Sequence, residues 1–223
     1  MGGVKFEKIT YDRVNDKIWI ETPSLYEFID LGLPSGIEWA SYNVGATKPE
    51  ELGLYFAWGE TQGYTVNDVI NNIKPFYWTD YKFSIDGTVN FSKYNKSDGL
   101  ITLEKIDDAA IQSDKKYRIP TKNDWEELIN NTVITAVENY NGSGVNGALL
   151  TSNNGKTLFL PLCGIAENGT MELTDTHCYY WSSTLNTSYY YRSWYFGFNF
   201  NTLNYLMVNS DRYNGLQIRP IKI

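Results

Sequence analysis

Residues 179–214 constrain this chain more than any other stretch. They hold thirteen aromatic residues and six asparagines but only three charged residues, Arg192, Asp211 and Arg212. A segment this aromatic and this poor in charge has to pack on a core or present a recognition surface. Alternation within it separates the two roles. From 193 to 201, Trp194, Phe196, Phe198 and Phe200 fall on one side of an extended strand, and Tyr195, Gly197, Asn199 and Asn201 on the other. The first set can make core. The second has the character of a binding surface, because Tyr gives rigid contact area and Asn gives adaptable hydrogen bonds. Tyr189, Tyr190 and Tyr191 run together and cannot all enter one core.

Composition narrows the chemistry. At 223 residues with 16% aromatics, the chain is long enough to bury a core without staples. Its net charge of −7 argues against a phosphate-backbone binder, so no nucleic acid partner is expected. One His and two Cys are too few for a His- or Cys-rich zinc site. Cys163 and Cys178 read as buried free thiols, with a disulfide open only in an oxidising compartment. Residues 1–5 lack the apolar core of a signal peptide, and no run approaches the ~18 apolar residues of a membrane helix. No membrane insertion of this chain is expected.

No tandem repeat or Pro/Ser-rich linker divides the sequence, so a single domain spanning 1–223 is expected. Residues 16–22, 26–31 and 37–42 read as strands, the last two around a Pro34-Ser35-Gly36 turn. The polar, Asn-rich segment 63–99 reads as a long loop with short elements. A first helix is expected over 103–112, with Ile106, Ala109 and Ala110 on one face. A second starts at Thr121, an N-cap candidate with Asp124 three residues on, and presents Trp125, Leu128 and Ile129 before Asn130 and Asn131 end it. Strands are then expected at 149–151, 157–160, 179–183, 193–201, 205–209 and 216–221. Two helices among antiparallel strands make an α+β domain.

The remaining motifs carry little chemistry. Residues 142–147 match G-x-G-x-x-G by letter but lead into a strand rather than a helix, so they read as a Gly/Asn turn. His177 is the only imidazole available to a Ser–His or Cys–His site; it neighbours Cys178 on a strand, where side chains point to opposite faces, and a pair with Cys163 is conceivable. The carboxylates Glu50, Glu51, Glu60, Asp107, Asp108, Asp124, Glu126 and Glu127 mostly sit where helix starts and solvated faces place them. Asn95, Asp98 and Gly99 read as a polar turn rather than part of a calcium loop. Neither a cofactor nor a metal is called for.

Several blocks resemble a known family. Tyr26-Glu-Phe-Ile-Asp-Leu-Gly-Leu-Pro-Ser-Gly36, Trp39-Ala-Ser-Tyr-Asn-Val-Gly-Ala46 and Tyr55-Phe-Ala-Trp-Gly-Glu60 are similar to the Fibrobacter succinogenes major paralogous domain. So are Tyr117-Arg-Ile-Pro-Thr121, Trp125-Glu-Glu-Leu128, Phe159-Leu-Pro-Leu162, Tyr180-Trp-Ser-Ser-Thr184 and Gly215-Leu-Gln-Ile-Arg-Pro220. The blocks run in family order across residues 26–221. The resemblance implies a C-type lectin-like fold related to formylglycine-generating enzymes, with the N- and C-terminal strands adjacent. Family members occur in Bacteroidetes-type bacteria and their phages as surface or secreted domains. Some are variable proteins of diversity-generating retroelements, with variation at the C-terminal end. Adenine-directed change of an Asn codon yields Tyr, Ser, Asp, Thr, Ile, Phe, Leu or Arg, and 179–214 is rich in that set. The Glu-Pro-Asn and Trp-Asn-Asp sugar–calcium motifs of animal C-type lectins are absent, and Cys163 and Cys178 lack the close spacing of the oxidase cysteines.

The resulting expectation is a non-catalytic, surface-displayed or extracellular adhesion-type domain that binds a protein or glycan on another cell or particle. Its expected ligand residues are Tyr189, Tyr191, Arg192, Tyr195, Asn199, Asn201, Asn204, Tyr205, Asn209, Asp211 and Tyr213. Its expected core contains Trp39, Trp58, Trp125, Trp181, Phe196 and Phe198. The alternatives are an enzyme on the same fold and a structural subunit of a surface or phage-tail fibre.

Overall fold

The computed structural model describes residues 26–111 and 116–222, together with the backbone of 8–12 and 17–21. In chain order the strands begin with β1 (Lys8–Asp12), β2 (Lys17–Glu21), β3 (Phe28–Ile29) and β4 (Glu38–Ala40). A one-and-a-half-turn helix α1 (Val66–Ile70) precedes β5 (Tyr117–Arg118), α2 (Lys122–Asn130) and β6 (Thr132–Val137). Then come β7 (Gly147–Ser152), β8 (Thr157–Pro161), β9 (Ile165–Glu167), β10 (Thr170–Glu172), β11 (His177–Leu185), β12 (Arg192–Asn199), β13 (Tyr205–Asp211) and β14 (Ile221–Lys222). The paired strands are antiparallel, in sheets ordered β1-β2, β3-β4-β14-β5, β6-β7-β8, β9-β10 and β11-β12-β13. This is an α+β architecture with two α-helices among the described residues.

The sheet β11-β12-β13 lies between two apolar clusters, as the alternation of its residues requires. Cys178, Tyr180, Phe196 and Phe198 belong to one cluster with Trp39, Trp125 and Leu128. Trp181 and Leu185 belong to the other, and Tyr179 and Tyr195 pack against it beside Trp58, Phe76, Phe83 and Tyr94. Trp39, Trp58, Trp125, Trp181, Phe196 and Phe198 are all buried.

The second helix forms as its cap dictates. Thr121 Oγ1 accepts from Asp124 N at 3.2 Å, and the Asp124 carboxylate accepts from Thr121 N at 2.6 Å. Arg118 donates to the same carboxylate at 2.6 Å and ties the cap to β5. Trp125 and Leu128 are buried, and the Trp125 ring stacks on Phe196 at 4.9 Å with a 7° interplanar angle.

Several expectations change. The helix expected over 103–112 is only a 3-10 turn, Lys105–Asp107, and Ile106 is 72% exposed. Here the side chain of Asp108 takes backbone donors that a helix would use internally, Ala110 N at 2.9 Å and Ile111 N at 3.3 Å, and its other oxygen accepts from the distant Ile119 N at 2.9 Å. Asp107 is drawn away at the same time, to Lys82, Lys93 and Tyr94. Ala109 and Ala110 are buried as loop residues. The first helix is instead α1, with a Thr65–Asp68 capping box inside the segment read as loop. β6 was not expected, although Thr-Val-Ile-Thr-Ala-Val is β-branched and alternating.

Chain ends also pair differently. The strand expected at 216–221 reduces to β14, which lies between β4 and β5, while β1 and β2 pair with each other. Pro220 has no N–H for a ladder, and Leu216 and Gln217 make isolated bridges to Phe56 and Tyr180. Strands expected at 26–31 and 37–42 shorten to β3 and β4 around the expected turn, closed by Gly36 N to Leu33 O at 2.9 Å. Asp16, Thr22 and Gln112 lie outside the described residues.

Because Trp125 fills the space between α2 and β12, Trp125→Ala should cost about 3–5 kcal/mol in denaturant unfolding. A loss below about 1 kcal/mol would mean that the helix does not depend on this stack.

Candidate functional site

The eleven expected ligand residues do not form one surface; the hairpin β12–β13 separates them. At the end where β12 begins, the Asn186 carboxamide accepts from Ser188 N at 3.0 Å and Tyr189 N at 3.2 Å. This turn carries Tyr189 outward to 53% exposure. The Tyr189 and Tyr191 rings meet edge-on at 5.9 Å, and the Arg192 guanidinium lies 5.3 Å from the Tyr191 ring centre. Arg192 Nε donates to Asp211 Oδ1 at 3.0 Å, and its Nη1 reaches Asn209 Oδ1 at 3.4 Å. Tyr189, Tyr191, Arg192, Asn209 and Asp211 therefore stand together.

Asn199, Asn201, Asn204 and Tyr205 sit at the opposite end, at the hairpin tip, roughly 20 Å away at ~3.3 Å per strand residue. Asn199 is committed to the turn: its Oδ1 accepts from Asn201 N at 3.0 Å and Thr202 N at 2.9 Å. Its Nδ2 lies 2.9 Å from His177 Nε2. Tyr195 and Tyr213 belong to neither group. Tyr195 leans on Tyr179 and Trp181, and burial, then the neighbouring Tyr179, raises its phenol. Tyr213 meets Trp78 edge-on at 4.7 Å and is raised first by burial and then by Asp211. Both are half-buried.

Two further features of the cluster escaped the sequence reading. Trp194, assigned there to the core face, is half-buried, pairs across strands with Asn209, and has Lys122 Nζ 4.5 Å from its ring. Its place beside the first residue of α2, at the margin of the packed face, is a long-range fact. Next to Tyr190 a groove of about 510 Å³ is lined by Val89, Asn90, Asn95 and Lys96, all from the segment read as loop.

The backbone under the cluster is pinned from inside. Arg212 is fully buried, and its Nη1 donates to the Tyr190 carbonyl at 3.1 Å while its N–H donates to the Tyr191 carbonyl at 3.0 Å. The same guanidinium donates to the carbonyls of Lys93 and Tyr94 at 3.2 and 3.1 Å. That segment is in turn fixed by Asp107, which accepts from Lys82 at 2.6 Å, Lys93 at 2.5 Å and the Tyr94 hydroxyl at 2.8 Å. Burial works against ionising Asp107, but its bonds to Lys82, Lys93 and Tyr94 outweigh burial and hold it below the usual carboxylate range. Burial and the bond to Asp107 push the Tyr94 phenol up to about 12, against the Glu104 N–H that favours its ionised form.

The cysteines, His177 and the turn around Asp98 each have local hydrogen-bond partners. Burial pushes the Cys163 thiol up to about 12 and raises Cys178 as well, and both cysteines are free. His177 is lowered by burial, with Thr176 Oγ1 at 2.8 Å from Nδ1 and Asn199 at Nε2, so both ring nitrogens are already engaged. Asp98 accepts from the N–H groups of Tyr94, Asn95 and Leu100, and Asn95 Oδ1 accepts from Ser97 N, as in a polar turn. Among the described residues no group of three His, Cys, Asp or Glu is placed to hold a metal, and no helix is long and apolar enough to cross a membrane. The glycines at 142–147 turn between β6 and β7, with Gly142 and Gly144 at φ 76° and 80°. Comparison with protein-family models, curated proteins and solved structures finds no match.

Asp107 generates a pH test with a definite sign. Its folded-state pKa lies below the unfolded value, so its contribution is present above about pH 4 and is lost as pH falls further. Asp107→Asn should lower the melting temperature at pH 7 and flatten its decline below about pH 4. An unchanged acid limb would mean that the Lys82–Asp107–Lys93 cluster does not support this segment.

Proposed function

We propose that this chain is a non-catalytic ligand-binding domain, displayed outside the cell, that recognises a protein or glycan on another cell or particle. The observation that carries the reading is the convergence of Tyr189, Tyr191, Arg192, Asn209 and Asp211 on one surface, above a backbone held by a buried guanidinium. Rigid aromatic anchors beside polar adaptors are what recognition surfaces use, since little side-chain entropy is lost on contact. A glycan variant of the same surface stacks sugar faces on the tyrosine rings.

The resemblance to the Fibrobacter succinogenes major paralogous domain supports a C-type lectin-like fold and a surface location. It also supports a variable C-terminal stretch of the retroelement type, because Tyr, Arg, Asn and Asp all belong to the set reached from an Asn codon. The enzymatic alternative would draw on a cleft with convergent carboxylates or on Cys163 with His177. Buried, raised thiols and an imidazole engaged by Thr176 and Asn199 speak against that pair.

Binding of the purified chain to intact bacterial cells and to a glycan array, alongside thermal melts, tests the proposal. Tyr189→Ala and Tyr191→Ala should each weaken binding by about 1–3 kcal/mol with little change in melting temperature. Tyr205→Ala, at the far end of the hairpin, should leave binding unchanged. The reverse pattern would move the site to the hairpin tip and contradict the proposal.

A further inference from the structure

The outer strand of the central sheet is open. β13 reads Tyr-Leu-Met-Val-Asn-Ser-Asp and pairs with β12 on one side only. Two bonds fix which of its backbone groups face outward: Asn199 N to Asn204 O at 2.8 Å, and Arg212 N to Tyr191 O at 3.0 Å. In an antiparallel ladder this places the N–H and C=O of residues 205, 207, 209 and 211 away from β12. Among the described residues those outward groups have no hydrogen-bond partner, apart from the Asp211 carbonyl, which accepts from Asn214 N at 3.1 Å.

Proteins usually protect such an edge with lysine, proline or a bulge. β13 has none of these, and residues 193–210 carry no charge at all. In a molecule of net charge −7, a second copy is repelled least where charge is absent. The edge is also apolar at its surface, with Leu203 52%, Tyr205 40% and Leu206 51% exposed. Another uncharged edge among the described strands, β6, offers a single large exposed apolar side chain, Val133.

We propose that β13 is a dimerisation strand, which pairs antiparallel with β13 of a second copy about a two-fold axis at Val208. That register sets 207 opposite 209 and 205 opposite 211 of the other copy, so every outward N–H from 205 to 211 gains an acceptor. It joins the two three-stranded sheets into one of six. It also sets each Asp211 against a tyrosine rather than against the other Asp211. The proposal rests on the edge backbone and not on the ligand reading, although β13 also carries Asn209 and Asp211 of the tyrosine cluster.

Light scattering over a concentration series tests it, with chemical locking of the register as a second readout. The wild-type chain should shift from monomer to dimer as concentration rises. Leu206→Lys should weaken association about tenfold or more while the melting temperature holds, because a lysine blocks an edge. Val208 lies on the axis as a non-hydrogen-bonded pair, where the two side chains approach most closely. Val208→Cys with oxidised glutathione should therefore give a reducible covalent dimer, and Thr135→Cys on the β6 edge should not. A monomer at every concentration, a dimer indifferent to Leu206→Lys, or crosslinking through position 135 rather than 208 would each overturn the proposal.

Discussion

The structure depends on a guanidinium that has no carboxylate partner among the described residues. Arg212 is fully buried and spends its charge on neutral acceptors: the Tyr81 hydroxyl at 3.0 Å and the carbonyls of Tyr94, Tyr190 and Lys93. Its carbon centre lies 4.2 Å from the Phe91 ring and 5.0 Å from Trp58. A weakly hydrated, planar cation suits such a cage, where rings take its faces and carbonyls take its edge. Loss of the side chain would leave buried carbonyls unpaired as well as a void, which makes the site expensive to alter. The cage joins the long irregular segment before β5 to the hairpin that carries the tyrosines.

Arg219 repeats the device in the other half of the core. It donates to Asn43 Oδ1 at 2.8 Å and to the carbonyls of Ala40 and Phe159, with the Tyr180 ring beside it. β3, β4, β5 and β14 are only two or three residues long, so ladders alone hold little of this region. Side chain to backbone bonds take their place. Gly215 shows how close the packing is: a Cβ there would lie 2.6 Å from the Phe76 ring. The result is a rigid support under Tyr190 and Tyr191, which a surface of adaptable side chains needs if binding is not to cost ordering.

Local signals in the sequence were legible where the structure is local. The Thr121 and Asp124 cap and the Trp125/Leu128 face define α2, and alternation sorts Phe196 and Phe198 from Tyr195. The helix expected over 103–112 fails because Asp107 and Asp108 bond to Lys82, Lys93, Tyr94 and Ile119, residues distant enough that spacing carries no trace of them. The same limit applies to the candidate site. Strand alternation assigns a face, but it does not place the two ends of a hairpin roughly 20 Å apart. Nor does it reveal that Asn199 serves the turn while Asn209 serves Arg192. Tyr195 is sent correctly away from Phe196, only to meet the second apolar cluster instead of solvent.

If Arg212 is the support, weakening it should loosen the two segments it joins before the rest of the fold. Native-state amide hydrogen exchange on the wild type and on Arg212→Lys measures this directly. A lysine keeps the charge but cannot meet four acceptors with a planar fork. The expected result is faster exchange across 77–96 and 189–192, with α2 and the β7–β8 ladder protected as before. Uniform loss of protection throughout the chain, or no change at 189–192, would contradict a specific role for Arg212 in holding the tyrosine surface.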